Sequence, residues 1–170
     1  SLAVATSLVS SLEEFTSSDL KIKWPNDLLI NEKKISGILI ETTDSEEGLD
    51  IVIGIGINVH MDKSEGSEIE QSWGNLEESP SHKLDRNEII VSIISAIYEL
   101  FNDYPKSGFK KYRHVFETYN LLKDKICKVV TDKETYEGKV VGVNEVGELL
   151  LEKSGEIQHL RYGEVSIREL

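Results

Sequence analysis

Apolar residues recur at Leu2, Ala5, Leu8, Val9, Leu12 and Phe15, a spacing of three and four that lines them along one face of a helix over residues 2–15. After Asp19 the period shortens to that of strands. Residues 21–24 and 28–30 read as short strands on either side of a Pro25-Asn26-Asp27 turn, because proline fixes φ and cannot donate while Asn and Asp make local side-chain turns. Residues 31–34 form a polar, hairpin-like connection into a strand over 35–42. Residues 50–53 read as a further strand, rich in β-branched side chains as a buried one would be. Together these elements predict an α+β fold with a mixed or antiparallel sheet backed by helices.

Residues 60–83 show no sustained period and carry Glu65, Glu68, Glu70, Glu77 and Glu78; long connections of this kind are functional or disordered. Asp85 followed by Glu88 has the pattern of a helix cap, and Ile89, Ile93, Ile97 and Leu100 make the apolar stripe of a helix that Pro105 is expected to end. Phe109, Tyr112, Val115, Phe116 and Tyr119 suggest a second helix over 107–118. From Ile126 the pattern changes to short strands over 127–131, 135–143, 148–152, 158–162 and 165–167. Turn candidates at Asp132-Lys133, Asn144-Glu145, Ser154-Gly155 and Tyr162-Gly163 separate them. That density of strands predicts a small barrel, marginal alone and so docked on the rest. The expected division is a first domain over 1–122 and a terminal one over 123–170.

Composition narrows the function classes. The chain has 170 residues, 39% of them hydrophobic, enough for a real core. A formal charge of −12, from 31 acidic and 19 basic residues, argues against a broad nucleic-acid surface, so an anionic ligand must be met by local cations. The single Cys127 excludes an intramolecular disulfide framework and a thiolate zinc cluster, in keeping with a cytoplasmic location. No apolar run approaches the roughly 20 residues that span a bilayer, so no membrane association is expected.

The chemistry concentrates in three segments: Lys23-Trp24-Pro25-Asn26-Asp27, Lys34-Ile35-Ser36-Gly37-Ile38-Leu39-Ile40-Glu41, and Gly54-Ile55-Gly56-Ile57-Asn58. Gly54-x-Gly56 follows a strand but lacks the third glycine and helix of a dinucleotide fingerprint. Two readings of it remain open. Either the glycines let a flat ligand lie against the main chain, with the Asn58 amide offered to a ring edge, or they mark a β-bulge with a turn Asn. Lys23 and Lys34 are candidates for an anion site, or else surface lysines. Asp27 either binds Mg²⁺ through oxygen or finishes its turn. Trp24 reads as core. Trp73, in an acidic loop with little apolar company, either folds over a bound ring or anchors the loop.

Taken in order, Lys-Trp-Pro-Asn-Asp, Lys-x-x-Gly-Ile-Leu-x-Glu, Gly-x-Gly-Ile-Asn, a loop bearing Trp73 and the Leu84-Asp85-Arg86 helix start resemble the biotin protein ligases over nearly the whole chain. The resemblance implies a biotin/lipoate ligase-like core followed by an SH3-like barrel. It also implies a two-step reaction: biotin and MgATP give biotinyl-5'-adenylate, and the acyl group then passes to a lysine of a biotin carboxyl carrier protein domain. On this resemblance Lys34 contacts the biotin carboxylate and the adenylate linkage and stabilises charge in both steps. Lys23, Asn26 and Asp27 support phosphate and metal, the last two as Mg²⁺ ligands. Gly37, Gly54 and Gly56 line the pocket, Asn58 reads the adenine, and Trp73 closes the adenylate loop. No enzyme nucleophile is required.

The family also has a Gly-Arg-Gly-Arg-x-Gly-Arg loop and a Ser/Thr-rich biotin-binding segment before the helix that starts this chain. The arginines here are Arg86, Arg113, Arg161 and Arg168, none in a Gly-Arg repeat. The chain is therefore expected to be an incomplete ligase that alone makes little or no biotinyl-adenylate. Two other classes stay open: a lipoate protein ligase-like enzyme, and a non-catalytic carrier-binding module. A second copy of the chain remains a candidate partner through an exposed strand.

Overall fold

In a computed structural model the chain is described over residues 1–46, 48–62, 66, 71–77, 83–131, 134–161 and 166–169. Glu65, Glu68, Glu70 and Glu78, the Asp132-Lys133 and Tyr162-Gly163 turns, and Val165 lie outside them. The chain opens with α1 (Leu2–Leu12) and a 3-10 turn (Glu13–Phe15), then runs through β1 (Leu20–Lys23), β2 (Asp27–Ile30), β3 (Lys33–Ser45) and β4 (Gly48–Ile57). These strands form one antiparallel sheet in sequence order. Two helices follow, α2 (Arg86–Ser107) and α3 (Lys110–Tyr119), and then β5 (Ile126–Val130), β6 (Thr135–Val143), β7 (Leu149–Lys153), β8 (Glu156–Leu160) and β9 (Ser166–Glu169).

Local chemistry explains most boundaries. Asn31 and Glu32, at φ 49° and 63°, form the two-residue turn between β2 and β3, the geometry whose twist matches that of flanking strands. Asp85 caps α2, its Oδ1 accepting from Asn87 N at 2.7 Å, a bond that satisfies one of the unpaired N–H groups of the first turn. Pro105 does not end α2, which continues to Ser107. A proline in the last turn removes only one intrahelical bond, and the helix closes at Gly108, whose N–H donates to Tyr104 O at 2.8 Å.

Burial departs from expectation at two elements. α1 is buried on more than one face, with Ala3, Val4 and Thr6 inside as well as Leu2, Ala5, Leu8, Val9 and Leu12, because it lies against α2, α3 and the sheet at once. β4, read as a buried strand, has no buried residue. Among the described residues it is an edge that pairs only with β3, so its β-branched residues reflect pairing rather than enclosure. In α3, Phe116 is fully buried and Tyr112 and Tyr119 pack on the core, whereas Val115 faces outward.

The terminal strands form an open antiparallel sheet in the order β8-β7-β6-β5-β9. The expected closed barrel is not formed among the described residues: closure needs a ladder between the two edges, and here β8 bonds to β7 and β9 to β5. The sheet does dock. One hydrophobic cluster runs from Leu8, Leu12, Ile22 and Leu28 through Phe116 and Leu122 to Val140, Val143, Leu149 and Leu151. Polar ties reinforce it. Trp24, a core residue as expected at 3% exposure, donates its Nε1–H to Gly147 O at 3.1 Å, and Glu117 Oε1 accepts from Val143 N at 2.6 Å where β6 bulges.

Two expectations follow. Ser36 Oγ is buried with no hydrogen-bond partner among the described residues on the sheet face it shares with Leu28 and Ile57. Because an unsatisfied buried hydroxyl costs about 1–3 kcal/mol, Ser36→Ala should leave stability unchanged or raise it by about 1 kcal/mol in urea unfolding; a loss of that size would show that the hydroxyl is satisfied in solution. Glu148 accepts from Arg161 Nε at 2.7 Å and Asn144 Nδ2 at 2.6 Å and faces His159 Nδ1 at 3.1 Å. Arg161 foremost, these partners pull its carboxyl from its ordinary 4.5 to about 2. A lowered folded-state value stabilises above the ordinary carboxylate range and is lost as pH falls toward the folded value. Glu148→Gln should therefore depress the melting temperature at neutral pH and converge with the parent as pH falls from about 4.5 to about 2; a difference that does not shrink contradicts this.

Candidate active site

Directly opposed residues of an antiparallel sheet project to the same face, and the register here is Lys23↔Asp27 between β1 and β2, Asp27↔Gly37 between β2 and β3, and Gly37↔Gly56 between β3 and β4. Four residues singled out in the sequence thus form one row across four strands. At the usual interstrand spacing the row is roughly 14 Å wide. Gly54, paired with Leu39, lies on the same face one pair further along.

Lys34 reaches this row through an irregularity. In a regular strand Lys34 and Gly37, three residues apart, would point to opposite faces. Between β2 and β3, however, Leu28 pairs with Ser36 and Leu29 with Lys34, so Ile35 is an extra residue and the alternation inverts. The Lys34 ammonium therefore lies over Gly37 and meets Asp27 Oδ1 at 2.6 Å. A Cβ at Gly37 would stand 3.3 Å from Lys34 Cε and 3.4 Å from its Nζ, tighter than ordinary contact. Glycine is what lets the lysine lie flat against the main chain. Asp27 Oδ1 is buried, and Lys34 is its one polar contact among the described residues. The carboxylate side chain is 15% exposed against 32% for the lysine, so the cation is the open partner of the pair.

The segment 72–77 fastens to this row. Lys34 N donates to Ser72 O at 3.1 Å and Gly74 N to Lys34 O at 2.9 Å, placing Trp73 beside Lys34 in a parallel bridge. Leu76 N and Glu77 N donate to Asn58 O and Val59 O. Trp73 Nε1 donates to Gly66 O at 3.2 Å, and a Cβ at Gly66 would overlap the indole. Asn58 is committed on both sides of its Cα: its N–H donates to Ile35 O at 2.7 Å and its Nδ2 to Gly74 O at 3.2 Å. Asn26 donates Nδ2 to Ile38 O at 2.9 Å and accepts Ile38 N at 3.0 Å on its own carbonyl, which pins the 24–26 turn to β3. Gly54 and Gly56 are ordinary strand residues; the bulge is in β3.

Sequence reasoning missed Asn75, whose side chain makes two bonds to Met61, and the β3 bulge, for which the chain carries no local signal. Among the described residues no three His, Cys, Asp or Glu side chains group as metal ligands. The donor chemistry near Asp27 suits Mg²⁺, which takes one or two carboxylates and completes its shell with phosphate oxygens and water. A cavity of ≈ 500 Å³ lies on the other face of the sheet, among Leu2, Ile40, Ile53, Phe101, Tyr104 and Gly147. It is mainly apolar, with Glu148 and Arg161 at its rim, and shares none of the row's charged residues.

Comparison with known proteins bears on this geometry. Residues 1–58 match the Biotin/lipoate A/B protein ligase family and residues 124–168 the Biotin protein ligase C terminal domain. The chain is 32% identical over 170 residues to the bifunctional ligase/repressor BirA of Escherichia coli, covering 99% of this chain and 52% of that protein. It is 32% identical over 168 residues to BirA of Bacillus subtilis, covering 98% and 52%. The chain thus spans about half the length of the curated relatives it matches. Among solved structures, the apo biotin protein ligase of Aquifex aeolicus superposes with a TM-score of 0.84 at 31% identity, over 99% of this chain and 74% of that one. The same ligase in complex with biotin and ATP gives 0.82 at 30% identity, over 99% and 70%. With both family models matched and a solved relative covered over most of its length, the chain belongs to the biotin protein ligase family.

Proposed function

We propose that this chain carries the reacting half of an ATP-dependent biotin ligation. A biotin carboxylate oxygen attacks the α-phosphorus of ATP and expels pyrophosphate, and the resulting biotinyl-5'-adenylate acylates a lysine amine of a biotin carboxyl carrier domain, releasing AMP. The observation that carries this reading is the Lys34 ammonium held over Gly37 by Asp27. Held there, the cation faces the open side of a strand row on which a flat acyl group and its phosphoanhydride can lie. A preorganised cation is worth most where negative charge develops. In the first step that is on the α-phosphate, and in the second on the departing AMP.

The other roles follow from the row. Lys23 supplies a second positive charge at its β1 end for phosphate. Gly54 and Gly56 leave space against the main chain, Gly56 with nothing within 4 Å of where a Cβ would be. Trp73 covers the nucleotide, with Asn58 beside it. Asp27 and the Asn26 side-chain oxygen are the groups that would hold Mg²⁺, which when bound neutralises phosphate charge. On this reading residues 1–122 are the catalytic part and 123–170 correspond to the SH3-like domain of the family. The outer edge of β4 offers a pairing surface to a second copy, the net acidic charge disfavours nucleic acid, and the protein works in the cytoplasm. Lipoate is the competing substrate, since the family model of residues 1–58 covers both acids; the match to the Biotin protein ligase C terminal domain favours biotin.

Titration calorimetry with a nonhydrolysable biotinyl-adenylate analogue tests the assignment. The protein should bind saturably, and Lys34→Ala should weaken binding about 10- to 100-fold, the loss of one charge-assisted hydrogen bond of roughly 1.5–3 kcal/mol. Equal affinity in the variant would remove Lys34 from its role. Preferential binding of lipoyl-adenylate would replace the substrate.

A further inference from the structure

Asn75 makes no hydrogen bond to the row among the described residues, and it ties the segment bearing Trp73 to residues 58–62. Its Oδ1 accepts from Met61 N at 3.0 Å and its Nδ2 donates to Met61 O at 3.0 Å. A planar side-chain amide offers a donor and an acceptor side by side, so Asn75 serves Met61 as a neighbouring strand's peptide would. The segment bearing Trp73 is thereby closed at both ends: by the Lys34 main chain at residues 72–74 and by Asn75, with the fully buried Leu76, at the other. The indole is fixed by Nε1 donating to Gly66 O. That contact needs residues 58–62 and 72–77 to keep their spacing, because Gly66 N in turn donates to Asp62 O, immediately after Met61.

We propose that Asn75 is the positioning residue that sets Trp73 against the Lys34 strand, and that it governs the nucleotide half of the site and leaves the acid half alone. The assignment of Trp73 to the nucleotide rests on the function proposed above; the clasp itself does not. Asn75 acts through Trp73, and its loss should leave Lys34, Asp27 and Gly37 where they are, since no bond of Asn75 reaches β2 or β3.

Two variants separate the amide from its volume. Asn75→Ala removes both bonds. Asn75→Asp keeps the size but sets a carboxylate oxygen against Met61 O, so it too releases the clasp. Acrylamide quenching of tryptophan fluorescence in the ligand-free protein reads Trp73 directly, because Trp24, at 3% exposure, is the shielded reference. Both variants should roughly double the quenching constant of the accessible tryptophan, with a melting temperature within about 5 °C of the parent, as for a half-exposed hydrogen-bonded site. In titration calorimetry both variants should bind the nonhydrolysable biotinyl-adenylate analogue about tenfold more weakly and AMP more weakly by the same factor, since the loss is confined to the nucleotide half. Unchanged quenching in Asn75→Ala overturns the proposal, as does a loss that is clearly larger for the analogue than for AMP. A parent protein that binds no analogue sinks the function proposed above, and the quenching then still decides whether Asn75 holds Trp73.

Discussion

The charge of this site is placed by one extra residue in β3. Were Ile35 paired in a regular ladder, Lys34 would point to the opposite face from Gly37, into the packed layer that Ile22, Leu28 and Ile38 make with α1 and α3. A lysine there would have to be desolvated without a partner, which no plausible packing offsets. The bulge turns it onto the open face, where Asp27 is the carboxylate within reach. The identity of Gly37, the burial of Asp27 and the parallel run of residues 72–74 beside Lys34 all depend on that inversion of side-chain direction.

The pair also answers how an acidic protein meets an anionic ligand. With a formal charge of −12, the long-range field repels phosphate, and attraction must be short-ranged and set in a partly desolvated spot where screening is weak. Lys34 and Lys23 sit on a row otherwise made of glycine and a single carboxylate, with the Lys34 side chain 32% exposed. The cost is an Asp27 oxygen whose polar company among the described residues is Lys34 alone. The opposite face is tied down more conventionally, by aliphatic packing, by Trp24 bonded to Gly147 and by Glu117 bonded to the β6 bulge.

Much of this could be read from the residues. Helical spacing located α1, α2 and α3, and alternation located the terminal strands, because those signals come from the local period. The three motif segments hold the residues that the sheet brings into one row, Lys23, Asp27, Gly37 and Gly56, with Lys34 beside them. What stayed hidden depends on partners distant in the chain. The exposure of β4 follows from its place at the sheet edge, which its Ile and Val content cannot report. Pro105 has the look of a stop, yet a proline in a last turn sacrifices a single bond, and α2 runs on to Ser107. Whether five strands close is decided by their edges, so the open terminal sheet was beyond a count of strands. The bulge at Ile35 and the clasp at Asn75 involve residues with ordinary local preferences, and only the register with β2 and the approach of Met61 give them meaning.

The two faces of the sheet offer a direct contest, because the charged row lies on one and the ≈ 500 Å³, mainly apolar cavity on the other. A crystal structure of the protein with a nonhydrolysable biotinyl-adenylate analogue decides between them. The account predicts the acyl-phosphate linkage within hydrogen-bonding distance of Lys34 Nζ, with the ligand lying along Gly37 and Gly56. A ligand seated in the cavity among Ile40, Ile53 and Phe101, with the Lys34 pair to Asp27 undisturbed, would contradict it.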